Sequence, residues 1–205
     1  MDPLARMVDE QIRGRGVRDP RVLGAMTRVP RERFVPRDVR HEAYGDHPVP
    51  IGLGQTISQP YIVGYMTEAL RLEASHRVLE IGTGCGYQTA ILAELARDVY
   101  SIEVVPELAA RAQQTLEALG YAHVHVRAGD GYAGWPEYAP YDRIIGAAAA
   151  DAVPPALVDQ LIDGGILVVP IGTSAQELRV LQKHGATMNL LATLPVRFVP
   201  MVKGA

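Results

Sequence analysis

Between His76 and Ile171 the sequence alternates short apolar runs with segments of helical period. Val78–Ile81, Val99–Glu103, His123–Arg127, Tyr141–Gly146 and Gly165–Ile171 read as strands. Tyr87–Ala96, Pro106–Leu119 and Pro154–Leu161 read as helices. Strands that alternate with helices must be joined by right-handed crossovers, and crossovers produce a parallel sheet covered on both faces. The tail breaks this pattern. Leu178–Leu181 and Leu190–Val202 are joined by His184, Gly185 and polar residues, so they are predicted to add an antiparallel hairpin to the sheet edge. The expected fold class is therefore α/β: a doubly wound, mostly parallel sheet with an N-terminal helical and loop extension and a C-terminal antiparallel hairpin. Residues 1–75 are expected to pack on the sheet region of residues 76–205 as one structural unit.

The N-terminal third has a different texture. Leu4, Val8 and Ile12, with Met7 beside them, predict a helix ended by Gly14 and Gly16. Asp19-Pro20 predicts an N-cap with proline at the first helical position, and Val22, Leu23 and Met26 supply that helix's apolar stripe. From Val29 to Pro60 prolines and glycines interrupt every period. Phe34, Val35, Tyr44, Val49, Ile51, Leu53 and Ile57 nevertheless give the segment much to bury. A loop of that length inside a small domain predicts an ordered cover over an active site. A helix starts at Pro60, with Ile62, Tyr65, Met66, Ala69 and Leu70 expected on one face.

Composition narrows the setting. A net charge of -3 offers no bulk attraction for nucleic acid or an anionic membrane. The single cysteine, Cys85, excludes an internal disulfide and fits a reducing compartment. No run approaches the roughly 20 apolar residues of a membrane span, and the first residues lack the apolar core of a signal peptide. The expectation is a cytoplasmic monomer without nucleic-acid or membrane partners.

The densest motif is Glu80-Ile81-Gly82-Thr83-Gly84-Cys85-Gly86, between a predicted strand and a predicted helix. Alternate glycines permit a tight turn and let a ligand lie against bare backbone. The spacing is G-x-G-x-G rather than the G-x-G-x-x-G that cradles a pyrophosphate. Glu103 ends the next strand, where an acid can bind ribose hydroxyls, and Gly129-Asp130-Gly131 ends the third. His123 and His125 share a strand face, but no further ligands accompany them and no metal site is expected. Cys85 reads as a small residue of the glycine loop and Trp135 as a packed anchor.

These features together resemble the class I S-adenosylmethionine-dependent methyltransferases, whose fold is Rossmann-like. The segment Tyr44-Gly45-Asp46-His47-Pro48-Val49-Pro50-Ile51-Gly52-Leu53-Gly54-Gln55-Thr56-Ile57-Ser58-Gln59-Pro60 is far more specific, and it resembles the substrate-side loop of protein-L-isoaspartate O-methyltransferases. The likeness continues through Gly131–Pro136, Tyr141–Ile145, Pro154–Leu157 and Val196–Pro200. It implies that S-adenosylmethionine binds and leaves as S-adenosylhomocysteine, and that isoaspartyl residues of damaged proteins and peptides, with D-aspartyl residues a further possibility, are the acceptors. The methyl ester would then collapse unaided to a succinimide. The resemblance implies that Glu80, Gly82, Thr83, Gly84 and Gly86 serve the cofactor's methionine side, Glu103 its ribose, and Asp130 and Gly131 its adenine. It places Gln55, Thr56 and Ile57 near cofactor and substrate, matches Ser58 to the active-site serine, and matches Gln176 to a C-terminal pocket residue. Ala147 and Asp151 depart from the family pattern, and Asp151 adds a negative charge near the expected path of an anionic substrate.

The chemistry is consistent with these residue types. A free α-carboxylate, with a pKa of about 3.5, is ionised at neutral pH and needs no general base. Catalysis then rests on positioning and on excluding water. Ser58 has two readings, as the hydroxyl that holds the carboxylate or as a helix cap before Pro60. The rival functions are a carboxyl methyltransferase for an aspartate in a modified peptide and a non-catalytic nucleotide-binding module.

Overall fold

The computed structural model describes residues 2–204. Seven strands form the main sheet: β3 (Arg77–Ile81), β4 (Asp98–Glu103), β5 (Val124–Ala128), β6 (Tyr141–Gly146), β7 (Leu161–Ile171), β8 (Gln176–His184) and β9 (Thr187–Val196). Their order is β5-β4-β3-β6-β7-β8-β9. The first four pairings across the sheet are parallel, and β8 and β9 extend the edge antiparallel. The chain winds outward from β3 to β5, returns to β6 on the other side of β3, and winds outward again. This reversal opens a crevice at the carboxyl ends of β3 and β6, where open α/β sheets bind ligands.

Alternation along the strands divides the core in two. Val78, Val99, Val124, Ile145, Ile166 and Val168 face one side. Leu79, Tyr100, Ile144, Leu167 and Val169 face the other. The first face carries α3 (Pro60–Ala69), α4 (Tyr87–Ala93), α5 (Pro106–Ala118) and the N-terminal segments. The second is covered more thinly, by α6 (Pro155–Asp159) and two 3₁₀ turns at Gly131–Ala133 and Pro136–Tyr138. There Trp135, His125 and Tyr138 pack around Tyr100.

At the N-terminus, α1 (Pro3–Arg6) runs into a π-helical turn, Met7–Arg13, that buries Met7, Val8 and Ile12. Asp19 caps α2 (Pro20–Arg28) by accepting from the Arg21 amide at 2.8 Å. The Glu68 carboxylate on α3 accepts from the Arg18 and Asp19 amides, each at 2.6 Å, and so ties the start of α2 to α3.

Several boundaries differ from the sequence reading. The segment read as a loop contains an antiparallel hairpin, β1 (Val49–Gly52) and β2 (Gln55–Ile57). Its strands are too short to show a period of two, and Pro50 disguises one of them. Leu53 and Gly54 form its two-residue turn, both at positive φ (+53° and +73°), the backbone twist that tight hairpins require. On α3 the buried residues are Pro60, Val63, Gly64, Met66 and Thr67, with Leu70 buried just past its end, while Ile62, Tyr65 and Ala69 are only partly covered. Helix α4 stops at Ala93, and α6 is so short that Leu161 already belongs to β7. Strand β9 ends at Val196. The tail beyond it leaves the sheet edge and returns to the crevice, where the Met201 amide donates to Ala149 O at 2.7 Å and the Ala149 amide to Val199 O at 2.8 Å.

Candidate active site

A cleft of about 220 Å³ lies at the reversal between β3 and β6. Its floor is the turn after β3. Gly82, Gly84 and Gly86 all have positive φ (+95°, +55° and +89°), a region that side chains with a Cβ avoid. The turn is pinned by the Gly82 amide donating to Ile102 O at 2.7 Å and the Gly86 amide donating to Thr83 O at 2.8 Å. Gly82, Thr83 and Gly84 stand on the cleft wall. Gly86 begins α4 behind them, and a Cβ there would press on Leu116 of α5 at 3.3 Å.

Glu103, at the end of β4, is 5% exposed and lines the same cleft. One carboxylate oxygen accepts from the Gly84 amide at 2.7 Å and the other from the Val105 amide at 3.0 Å. Each oxygen keeps a second lone pair, so the side chain is fixed in orientation yet free to accept two more hydrogen bonds. Gly131 also lines the cleft. A Cβ at that position would lie 2.3 Å from the Ile81 side chain and 2.9 Å from that of Met201.

Glu80 lies beneath the turn, off the cleft wall, and is fully buried. One of its oxygens accepts from the Thr89 and Ser101 hydroxyls, both at 2.6 Å, and Ser101 is in turn paired with the hydroxyl of Thr83. The other oxygen has no partner among the described residues. Burial pushes the Glu80 carboxyl up to about 7, against the two hydroxyl hydrogen bonds and with help from the Glu103 charge. The network supports the turn from below: Thr83 presents backbone to the cleft while its hydroxyl is held on the Glu80 side.

Two other residues expected at the cofactor are displaced from the wall. Asp130 accepts from the Tyr132 amide at 2.9 Å and so caps the 3₁₀ turn that presents Gly131. The Gln176 amide clasps the tail, accepting from the Phe198 amide at 2.6 Å and donating to Phe198 O at 3.2 Å. This clasp holds in place Val199, Pro200, Met201 and Val202, which do line the cleft. The sequence pattern predicts an edge strand over Leu190–Val202, but β9 ends at Val196. Pro200 is the available signal that the strand gives out, since proline cannot donate to a sheet ladder; Pro195 is tolerated because β9 is the edge strand.

The β1–β2 hairpin closes the cleft. Gly54, Gln55, Thr56, Ile57 and Ser58 line it, with Val63 and Met66 of α3 and Tyr87 and Gln88 of α4. Among the described residues the Ser58 hydroxyl has no hydrogen-bond partner; only its backbone oxygen is bonded, to Arg31. The N-cap of α3 is Gln59, without a side-chain cap, so the helix-cap reading of Ser58 is set aside. Ala147, one of the two departures, lines the cleft with a methyl group, while Asp151 is exposed and off the wall. Cys85 is also on the wall, and burial pushes its thiol up to about 11, so it stays protonated and unreactive at neutral pH. His123 Nε2 sits 3.1 Å from Ala93 O, and the His125 ring stacks on Tyr100 at 4.8 Å between centroids.

The sequence profile of the protein-L-isoaspartate (D-aspartate) O-methyltransferases matches residues 4–205. The chain belongs to this family. A Picosynechococcus protein-L-isoaspartate O-methyltransferase is 57% identical over 96% of this chain and 88% of its own length. A Gloeobacter violaceus relative of the same description is 54% identical over 96% and 97%. Among solved structures, a protein-L-isoaspartate O-methyltransferase superimposes with a TM-score of 0.87 at 30% identity, over 96% of this chain and 65% of the longer one. A Plasmodium falciparum chain assigned to the same activity, solved in complex with S-adenosyl-L-homocysteine, gives 0.84 at 25% identity over 98% of both. The family likeness thus spans sheet, cleft cover and tail alike.

Proposed function

We propose that this chain transfers the methyl group of S-adenosylmethionine to the free α-carboxylate of L-isoaspartyl residues in damaged proteins and peptides, with Ser58 holding the acceptor. The observation that carries this reading is one continuous wall. It joins the glycine turn and the fixed Glu103 carboxylate to the unbonded Ser58 hydroxyl. Four features suit the cofactor. The backbone at Gly82 and Gly84 is bare, the Gly131 position has no room for a Cβ, the Glu103 carboxylate has free lone pairs, and Ile102 and Val104 offer apolar flanks. When bound, S-adenosylmethionine supplies an electrophilic methyl on a sulfonium, which passes to a carboxylate oxygen as the carbon–sulfur bond breaks.

The protein's own part is positional. Glu103 holds the ribose end through the two lone pairs that the backbone leaves unused. Gly82, Thr83 and Gly84 admit the methionine end against bare backbone. The hairpin excludes water with Ile57 and the α3 residues Val63 and Met66. Ser58 donates its hydroxyl to the acceptor carboxylate and aligns one oxygen with the methyl carbon. The carboxylate is ionised at neutral pH, so no base is needed, and no histidine stands on the wall. Aligning two reactants in a closed site is itself a large rate factor.

No helix among the described residues is long and apolar enough to cross a membrane. With one thiol and a near-neutral charge balance, the proposed setting is a monomer acting in the cytoplasm. The test is a pair of peptides identical except that one carries isoaspartate and the other aspartate. Methyl incorporation only into the isoaspartyl peptide is the expected result. Equal labelling of both would replace repair with general carboxyl methylation, and binding of cofactor without any transfer would leave a nucleotide-binding module.

A further inference from the structure

Arg31 is fully buried in the segment that covers the cleft. Its Nε donates to Ala43 O at 2.7 Å and its Nη2 donates to Ser58 O at 2.7 Å. Nη1 is buried without a partner, and no carboxylate lies within ion-pairing distance among the described residues. The guanidinium carbon sits 4.9 Å from the centroid of the Tyr87 ring. Burial lowers the Arg31 pKa, but a guanidinium remains charged under all ordinary conditions.

A buried cation without a counterion is costly, and proteins keep one when an anion or a function accounts for it. Arg31 lies one residue layer behind the cleft. Ser58, to which it donates, and Tyr87, over which it sits, both line the wall. Among the described residues the only full negative charge on that wall is Glu103, and its carboxylate is turned to the Gly84 and Val105 amides. The hairpin end that bears Ser58 is anchored from below by this fork, which bridges Ser58 to Ala43 across the segment.

We propose that Arg31 is the positioning residue for the acceptor: its fork fixes the Ser58 backbone, and its uncompensated charge is answered by the anionic carboxylate that docks at Ser58. This rests on the carboxyl-methylation reading above. It separates two roles that one residue joins. The fork sets the direction of the hydroxyl and should act on kcat. The charge favours an anion over a neutral isostere and should act on acceptor affinity.

The experiment uses the whole enzyme saturated with S-adenosylhomocysteine and titrated in a calorimeter with an isoaspartyl peptide. A second titration uses the same peptide with its α-carboxylate replaced by a carboxamide. Wild type should prefer the carboxylate by about tenfold or more, as a partly desolvated charge pair does. R31M should bring the two affinities within about threefold of each other, because a neutral side chain cannot tell an anion from an amide. R31K should keep the preference yet lose roughly tenfold in kcat, because an ammonium cannot reproduce a planar fork spanning two carbonyls. S-adenosylhomocysteine affinity should stay unchanged in R31K.

Equal weakening of both peptides in R31M is what a purely structural arginine would give, and it would overturn the charge role. Wild-type kcat in R31K would overturn the fork role. If R31M does not fold, R31K decides alone: kept preference with lowered kcat supports the proposal, and either a lost preference or an unchanged kcat ends it. A wild-type enzyme that methylates no isoaspartyl peptide is a different failure, which removes the function itself rather than the part played by Arg31.

Discussion

The Glu103 carboxylate accepts the Gly84 amide at 2.7 Å, so the acid at the end of β4 and the glycine turn after β3 form one rigid piece. A charge-assisted hydrogen bond of this kind fixes the turn before any ligand arrives. Glu103 is structural toward Gly84 and Val105, and in the proposed function it also binds the ribose.

Glu103→Ala is therefore expected to do two things. S-adenosylmethionine affinity should weaken by about 1–3 kcal/mol, the range for losing hydrogen bonds to a charged group. Thermal stability should fall as well, because two backbone amides lose their acceptor. Calorimetry and a melting curve on the same preparation check both, and unchanged cofactor affinity would remove Glu103 from the ribose.

Ser58→Ala should separate positioning from folding. Among the described residues the hydroxyl bonds no protein group, and it does not cap α3, so stability should change by less than about 0.5 kcal/mol, as for a surface substitution. If it orients the acceptor, kcat should fall roughly a hundredfold, since small misplacements are costly when alignment is the mechanism. Cofactor binding should be unaffected. A variant that melts earlier but turns over normally would return Ser58 to a structural role.

Glu80 gives a pH signature. Its folded pKa of about 7 lies above the ordinary 4.5, so the folded state holds the proton more tightly than the unfolded chain. The stabilisation is complete below about pH 4.5 and is lost as pH rises through 7, amounting to about 3 kcal/mol by linkage. Glu80→Gln cannot ionise and should gain relative to wild type between pH 5 and pH 8. Urea denaturation at both pH values measures this. Parallel curves for the two proteins would show that Glu80 titrates normally.

Leu53 stores backbone strain at the hairpin tip. It holds φ at +53° and is 55% exposed, so its side chain recovers little by burial. Leu53→Gly should be stabilising or neutral, within about 1 kcal/mol, because the left-handed penalty of roughly 1–2 kcal/mol offsets the entropy that glycine loses. A clear loss of stability would mean that the exposed leucine packs in a way its surface area does not show. The same variant's KM for an isoaspartyl peptide would report whether the tip meets the substrate.

The sequence by itself determined the sheet, the crevice and the family. Strand runs separated by helical periods force parallel crossovers. Glycines at 82, 84 and 86 mark a turn that only they can make, and the hairpin segment up to Ser58 carries the closest likeness to one family. Those signals are local, and each is written in consecutive residues. The tertiary structure decided which candidates face the cleft. Glu80, Asp130 and Gln176 looked like ligand residues from their neighbours in sequence. None of the three lines the cleft wall, and each has a side-chain oxygen bonded within the protein: Glu80 to Ser101 and Thr89, Asp130 to the Tyr132 amide and Gln176 to the Phe198 amide. Nothing in the sequence foretold the tail bending back to supply Val199–Val202, or Arg31 reaching Ser58 across 27 positions. Both depend on contacts between residues far apart in the chain. A sequence pattern shows which face of an element is apolar, but the partner of a buried polar atom is settled only when the elements pack and that atom must find an acceptor or go without.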